Sequence, residues 1–148
     1  MKLSRTLILL LIGLIISSAI GCVPHGIGGP CGYKEIYGTA TITSIVNVSA
    51  GSQDYNCPKN PVIVRFDFVS DDPNASFNPS LLQGCPNTNR TLIVGAGMNP
   101  SAEYMVVKGI TVGSSYRCKR MEETKGSCTP VIFNFYEMNF SDYGEYCW

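Results

Sequence analysis

Hydrophobic and polar residues alternate in five segments of the chain, and each segment predicts a β-strand. The clearest alternation covers residues 62–69, where the even positions are apolar and Arg65 and Asp67 lie among the odd ones. Successive side chains of a strand point to opposite faces, so this pattern is typical of a strand with one buried face. The same criterion predicts four more strands, over residues 37–48, 90–96, 115–121 and 129–138.

A short helix is predicted between the third and fourth strands, over residues 101–108. Asn99 can cap free backbone N–H groups, Pro100 suits the first position of a helix, and Gly109 tolerates the positive φ found just past a helix end. Residues 70–89 are rich in Asp, Asn, Pro and Ser, which predicts a long surface loop before the third strand.

Five strands with one helix in this place resemble the OB-fold, a five-stranded Greek-key barrel. The Gly-Thr-Ala start of the first strand at residues 38–40 and the turn at residues 109–113 are also similar to that family. The resemblance implies a mainly β, OB-like domain over residues 33–148. The alternative is a disulfide-bonded β-sandwich, although that fold needs about seven strands. Residues 38–40, 92–97 and 128–133 are also similar to small secreted lipoproteins, a likeness that brings no activity with it.

The first 21 residues have the composition of a signal peptide. Lys2 and Arg5 are basic, residues 7–16 are apolar except for Gly13, and residues 17–21 are mostly small. A transmembrane helix needs about 20 apolar residues, and this run is shorter. We therefore expect the leader to be removed on export.

Residues 19–22, Ala-Ile-Gly-Cys, resemble the lipobox of bacterial and some archaeal lipoproteins. The resemblance implies that Cys22 carries acyl chains such as palmitate, which attach the protein to the cell membrane or outer membrane on its extracytoplasmic side. Residues 22–32 are rich in glycine and predict a tether. Ala19 stands where leucine is usual and also suits the ordinary signal peptidase, so a plainly secreted protein is the alternative.

The chain has seven cysteines, and lipidation of Cys22 leaves an even number. In an oxidising compartment these six are expected to form three disulfides. Spacing favours one pair, Cys118–Cys128, because the two residues flank a charged segment predicted to be a hairpin turn. Metal sites usually show close CxxC or HxxxH spacings, which do not occur here, so neither a metal nor another cofactor is expected. The six candidates are Cys31, Cys57, Cys85, Cys118, Cys128 and Cys147.

The net charge of the chain and its polar motifs indicate which kinds of partner and modification to expect. The chain has 11 basic and 11 acidic residues, and loss of Lys2 and Arg5 with the leader makes the mature chain slightly acidic. Nucleic acid is therefore not an expected partner, whereas a protein or glycan partner is. An aromatic and basic strip on the fourth strand is the candidate ligand surface, and it consists of Tyr116, Arg117, Lys119 and Arg120. Four sequons mark candidate N-glycosylation sites, at Asn47, Asn74, Asn89 and Asn139.

Catalysis is not expected, because His25 is the only histidine and lies in the predicted tether. The expected function is that of a membrane-tethered, non-enzymatic binding or structural module of the cell envelope. A first alternative resembles the netrin-like modules of metalloproteinase inhibitors, whose mature chain begins with cysteine, although Pro24 stands where they carry a second cysteine. A second alternative is a carboxylate-dependent hydrolase, which needs a cleft that holds two of its candidate residues. Those candidates are Asp67, Asp71, Asp72 and Glu103.

Overall fold

A computed structural model describes residues 30–48, 60–94 and 97–138. These residues form one antiparallel sheet of five strands, which curls into a half-barrel. The strands are β1 (Gly32–Asn47), β2 (Val62–Ser70), β3 (Arg90–Thr91), β4 (Ser115–Lys125) and β5 (Val131–Phe135). Two short helices accompany them, α1 (Pro79–Gly84) and α2 (Ala102–Val107).

The strand order is β3-β2-β1-β4-β5. β4 follows a long connection and pairs beside β1, which is the Greek-key arrangement. The predicted fold class is confirmed: the described part of the chain is mainly β, with five strands and a helix between the third and fourth. The sandwich alternative would need a second sheet, and the described residues form a single one.

β1 bends because it pairs with two strands over different parts of its length. Residues 38–47 pair with β2, whereas residues 32–41 pair with β4. Gly38 lies in the overlap, where a Cβ atom would come within 2.1 Å of the carbonyl oxygen of Val69 and within 2.7 Å of the Phe68 ring. A side chain at this position would push β2 away, so glycine allows the close approach that curls the sheet. A register shift between Ile42 and Ser44 adds a bulge to the same strand.

The inner face of the half-barrel holds the hydrophobic core. Phe66 lies near its centre, and its ring meets the rings of Phe133 and Phe135 edge-to-face, with centroids 5.2 Å apart in both pairs. Helix α2 closes one end, where Tyr104 and Met105 are buried. The remaining core consists mainly of alternate residues of β1 and β2, namely Ile36, Ala40, Ile42, Val62, Val64 and Phe68.

We name the two ends of the half-barrel after the structural features that lie there. The disulfide end contains the start of β1, the end of β4 and the turn at residues 126–130 that joins β4 to β5. The helix end contains α2 and the turn at residues 109–114 that leads from it into β4.

Several element boundaries differ from the sequence predictions. β1 begins at Gly32, so the last residue of the predicted tether belongs to the sheet. β3 has two residues, because the chain turns back at Gly97, which has a φ of 94°, and Val94 bonds to Met98 instead of continuing along β2. The cap of α2 is Ser101 rather than Asn99, since the Ser101 hydroxyl accepts the N–H of Tyr104.

Helix α1 lies in the stretch predicted to be entirely loop. Asn78 caps it by accepting the N–H of Ser80 at 3.1 Å, and Pro79 occupies its first turn. The Asn-Pro start that predicts α2 therefore also begins α1, within a stretch whose composition predicts a loop.

The predicted pairing of Cys118 with Cys128 is wrong. Cys128 forms a disulfide with Cys31, and their Cα atoms are 6.2 Å apart. The β1–β4 register explains this, since it brings the start of β1 to the turn that contains Cys128. Cys118 faces the core from the middle of β4 and keeps a free, buried thiol, so the six candidates do not form three disulfides among themselves. Cys85 is disulfide-bonded.

Several predictions concern residues outside the described ones. They are the leader over residues 1–21, the tether up to residue 29, Cys22, Cys57, Cys147 and Asn139. Among the described residues, no helix has the length and apolar character needed to cross a bilayer.

Candidate functional site: a charged and aromatic cluster on the outer face

Strand β4 separates the predicted ligand strip onto two faces of the sheet. Arg117 and Lys119 point outward. Tyr116 packs against the core and Arg120 is fully buried on the inner face, because the strand alternates between the two faces. The four residues therefore do not form one surface.

Neighbouring strands complete a different surface around the two outward residues. Tyr37 of β1 lies opposite Lys119 in the β1–β4 register. Tyr136 follows β5, and its N–H donates to the carbonyl oxygen of Arg117 at 3.1 Å. Both tyrosine side chains are about half exposed, at 51%. We refer to these residues as the outer-face cluster, which consists of Glu35, Tyr37, Arg117, Lys119 and Tyr136.

The carboxylate of Glu35 organises the centre of the cluster. Lys119 Nζ donates to Glu35 Oε1 at 2.5 Å, and the Tyr37 hydroxyl donates to Glu35 Oε2 at 2.7 Å. The guanidinium of Arg117 lies 5.9 Å from the centroid of the Tyr136 ring, within the range of a cation–π contact. Each charged or aromatic group therefore has a partner that limits its rotamers.

The same contacts keep the ionisable groups in their usual charge states. The hydrogen bond from Lys119 lowers the pKa of Glu35, and the reciprocal bond raises the pKa of Lys119. The hydrogen bond to Glu35 raises the pKa of the Tyr37 hydroxyl. Glu137 adds a second acidic group beside the cluster by accepting the N–H of Arg117, so acidic and basic groups balance across this face.

A second charged site lies buried on the inner face of β4. Arg120 Nε donates to Glu122 Oε1 at 2.9 Å, and Arg120 Nη1 donates to the carbonyl oxygen of Cys85 and to Asn87 Oδ1. The guanidinium also lies about equally close to the rings of Phe77 and Phe133, at 5.6 and 5.7 Å from their centroids. Burial lowers the pKa of Arg120, yet guanidinium stays protonated in proteins.

This buried pair positions the connection between β2 and β3. The other carboxylate oxygen of Glu122 accepts the N–H of Asn78 at 2.9 Å, just before α1. Because Cys85 and Asn87 bind Arg120 from the far side of α1, one ion pair holds both ends of this segment. Its side chains are 0% and 2% exposed, so the pair is structural and inaccessible to a ligand.

A shallow depression of about 270 Å³ lies above Glu122 at the disulfide end. Its volume is slightly below the range of about 300–1,000 Å³ that is usual for ligand pockets. The ammonium group of Lys34 at its rim already donates to the carbonyl oxygen of Ser76. The outer-face cluster is therefore the stronger candidate site.

The four candidate carboxylates are not gathered in this depression. Asp67 points outward from β2 and accepts the N–H of Asn89, while Asp72 accepts the N–H of Asn74 in the bend beside Asp71. Glu103 lies in the first turn of α2, at the helix end. Among the described residues, no group of three or more His, Cys, Asp or Glu side chains is placed to hold a metal ion.

Three of the sequon asparagines lie on the surface. Asn47 is exposed at the end of β1, Asn74 in the bend after β2, and Asn89 before β3. The positive φ of Asn89, 55°, is a conformation that asparagine tolerates better than most residues.

Sequence reasoning missed Glu35, Tyr37 and Tyr136 as members of the site. Glu35 and Tyr37 are two residues apart and so share a face of any strand that includes both. That signal is lost because the predicted first strand begins at Tyr37 and so leaves Glu35 out.

Comparisons with protein-family models, with curated proteins and with solved structures found no match for this chain.

Proposed function

We propose that this chain is a lipid-anchored, non-enzymatic binding module of the cell envelope, which uses the outer-face cluster to bind a protein partner. The anchor rests on the lipobox-like sequence that ends at Cys22. The binding surface rests on one observation, the preorganised group of two half-exposed tyrosines with an arginine and a lysine on an open sheet face.

The composition of the cluster favours a protein partner. Tyrosine and arginine are enriched among the residues that dominate binding energy at protein interfaces. The balance of acidic and basic groups gives no preference for a polyanion, and the outer face of the sheet is open to a broad contact. Rotamers that are already fixed before binding lower the entropic cost of association.

Stability alone is a poor explanation for the cluster, because exposed ion pairs contribute little to the free energy of unfolding. The Lys119 side chain is 17% exposed and that of Glu35 is 34% exposed, so water reaches both. A partner that covers this face would remove that water and strengthen the same contacts.

The anchor is tested by the replacement Cys22→Ala, with membrane and soluble fractions compared. We expect the variant to leave the membrane fraction, whereas Ala19→Leu, which improves the lipobox, keeps the protein there. Intact mass of the mature chain should show acyl groups on Cys22. A membrane-bound Cys22→Ala variant contradicts the anchor, and a free amino-terminal cysteine supports the secreted inhibitor instead.

The binding surface is tested by a photo-crosslinking residue at Asn134, which is exposed and lies opposite Lys119. The matched control carries the same residue at Val112, 59% exposed at the helix end. We expect a protease-sensitive adduct from position 134 but not from 112, and Arg117→Ala should reduce it several-fold. Equal adducts from both positions, or no adduct from either, contradict the proposal. An adduct that glycosidase removes and protease does not would identify a glycan instead.

A further inference from the structure

The first residues of the domain are fastened to the turn between β4 and β5. The disulfide Cys31–Cys128 joins them directly. The Tyr33 hydroxyl donates to the carbonyl oxygen of Thr129 at 3.1 Å. Gly126 packs so tightly on the chain start that a Cβ atom there would lie 3.3 Å from the carbonyl oxygen of Pro30. We refer to these contacts as the clamp, which includes residues 30–33 and 126–129.

The clamp lies at one extreme of the half-barrel, and the strands run away from it. β1 leaves the clamp with 16 residues, which corresponds to about 50 Å along the strand at about 3.3 Å per residue. β4 returns from the helix end to the clamp, and α2 lies beyond the start of β4. A tether that ends at Cys31 therefore holds the disulfide end of the domain. The helix end lies far from that attachment point.

We propose that the clamp determines which end of the domain faces the membrane, an inference that rests on the proposed anchor at Cys22. Cys22 precedes Cys31 by nine residues, a span of at most about 30 Å even when fully extended. The disulfide end therefore stays within about 30 Å of the bilayer. The helix end, where Val106, Val107 and Val112 are exposed, lies farther away on average.

The geometry also restricts the partner of the outer-face cluster. Tyr37 lies six residues beyond Cys31, which adds about 20 Å. The cluster can therefore reach no farther than about 50 Å from the bilayer surface. The proposed protein partner must itself be attached to the same membrane or extend to within that distance of it.

Energy transfer from the domain to labelled lipid tests the orientation. The full lipidated chain is reconstituted into phosphatidylcholine vesicles that contain a small fraction of rhodamine-labelled lipid. A donor dye is attached through p-azidophenylalanine at Ser127 in the clamp turn, or at Val112 at the helix end, both of which are exposed. We expect transfer from position 127 to be several-fold greater than transfer from position 112.

A tether variant and a flotation control make the result decisive. A long Gly-Ser segment inserted after His25 should lower the transfer from position 127 and reduce the difference between the positions. Equal transfer from both positions with the native tether, or greater transfer from position 112, overturns the proposed orientation. Failure of the anchor is distinguishable, because the protein would not float with the vesicles and neither position would show transfer.

Discussion

Two ion pairs on β4 involve consecutive residues but lie on opposite faces of the sheet. Lys119 binds Glu35 on the outer face with side chains that are 17% and 34% exposed. Arg120 binds Glu122 on the inner face with side chains that are 0% and 2% exposed. The two separations, 2.5 and 2.9 Å, are similar, so distance alone does not distinguish the pairs.

Their surroundings give them different consequences. Burial of a charge carries a large desolvation cost, and Arg120 and Glu122 offset it with additional hydrogen bonds to the β2–β3 connection. Removal of one partner would leave the other group buried without an opposite charge beside it. Lys119 and Glu35 remain hydrated when they separate, so that pair can change at little cost to the fold.

The largest expected effect is that of Arg120→Met. The variant leaves Glu122 as an unpaired buried carboxylate and frees the carbonyl oxygen of Cys85, so we expect a loss of about 3–5 kcal/mol in the free energy of unfolding. Urea unfolding with the disulfides intact measures it.

The double variant Arg120→Met with Glu122→Leu is the matched control. It removes both charges, so we expect it to recover part of the lost stability, although Asn78 and Asn87 still lose their partners. A single variant that loses less than about 1 kcal/mol would mean that water solvates the pair and that the inner and outer sites are alike.

An intermediate effect is expected from alkaline pH, through the free thiol of Cys118. Burial raises the pKa of this thiol to about 12. An unfolded chain releases the proton near pH 8.5, so stability is complete below that pH and falls by about 1.4 kcal/mol per pH unit as the pH rises toward 12. Unfolding midpoints at pH 7.5 and 10 measure the change.

Cys118→Ala supplies the reference for that measurement. The variant lacks the titrating group, so its stability should change less between the two pH values than that of the parent chain. Parallel pH profiles for the two proteins would show that the thiol ionises in the folded state and would place Cys118 in a solvated environment.

The smallest expected effect is that of Lys119→Met on the outer face. We expect a change in the urea midpoint close to the error of measurement, and a difference that shrinks further at high salt. The same replacement should weaken the crosslink from position 134. A large loss of stability would instead make the outer pair part of the folding framework and remove the contrast between the two faces.

A structural feature can be predicted from the sequence where it depends only on residues that are close along the chain. In β2 the charged residues Arg65 and Asp67 share one face of the strand, so alternation alone identifies the strand and its buried face. In β4 the charged residues lie on both faces of the strand: Arg117 and Lys119 on one face, and Arg120 and Glu122 on the other. A buried ion pair and a solvated strip give the same pattern there, and only the packing of Phe77 and Phe133 on Arg120 decides between them.

Long-range pairing explains the remaining errors. Cys31 and Cys128 are separated by 97 positions and meet because β1 and β4 are neighbours in the sheet, whereas sequence spacing favours cysteines that are close along the chain. The outer-face cluster has the same origin, since its residues come from β1, β4 and the segment after β5. The strand order had to be known before either could be assigned.

The central position of β1 has a consequence for the order of folding. β2 follows β1 closely, so these two strands can pair as soon as residues up to 70 are available. The opposite edge of β1 must wait for β4, because Gly32 pairs with Lys125. Contacts of such long sequence separation slow folding, and an unpaired strand edge is prone to pair with other chains. While the chain is synthesised from its amino-terminal end, one edge of β1 therefore stays unpaired until β4 is complete. The strand whose edge is exposed for the longest time is the one that later lies in the middle of the sheet.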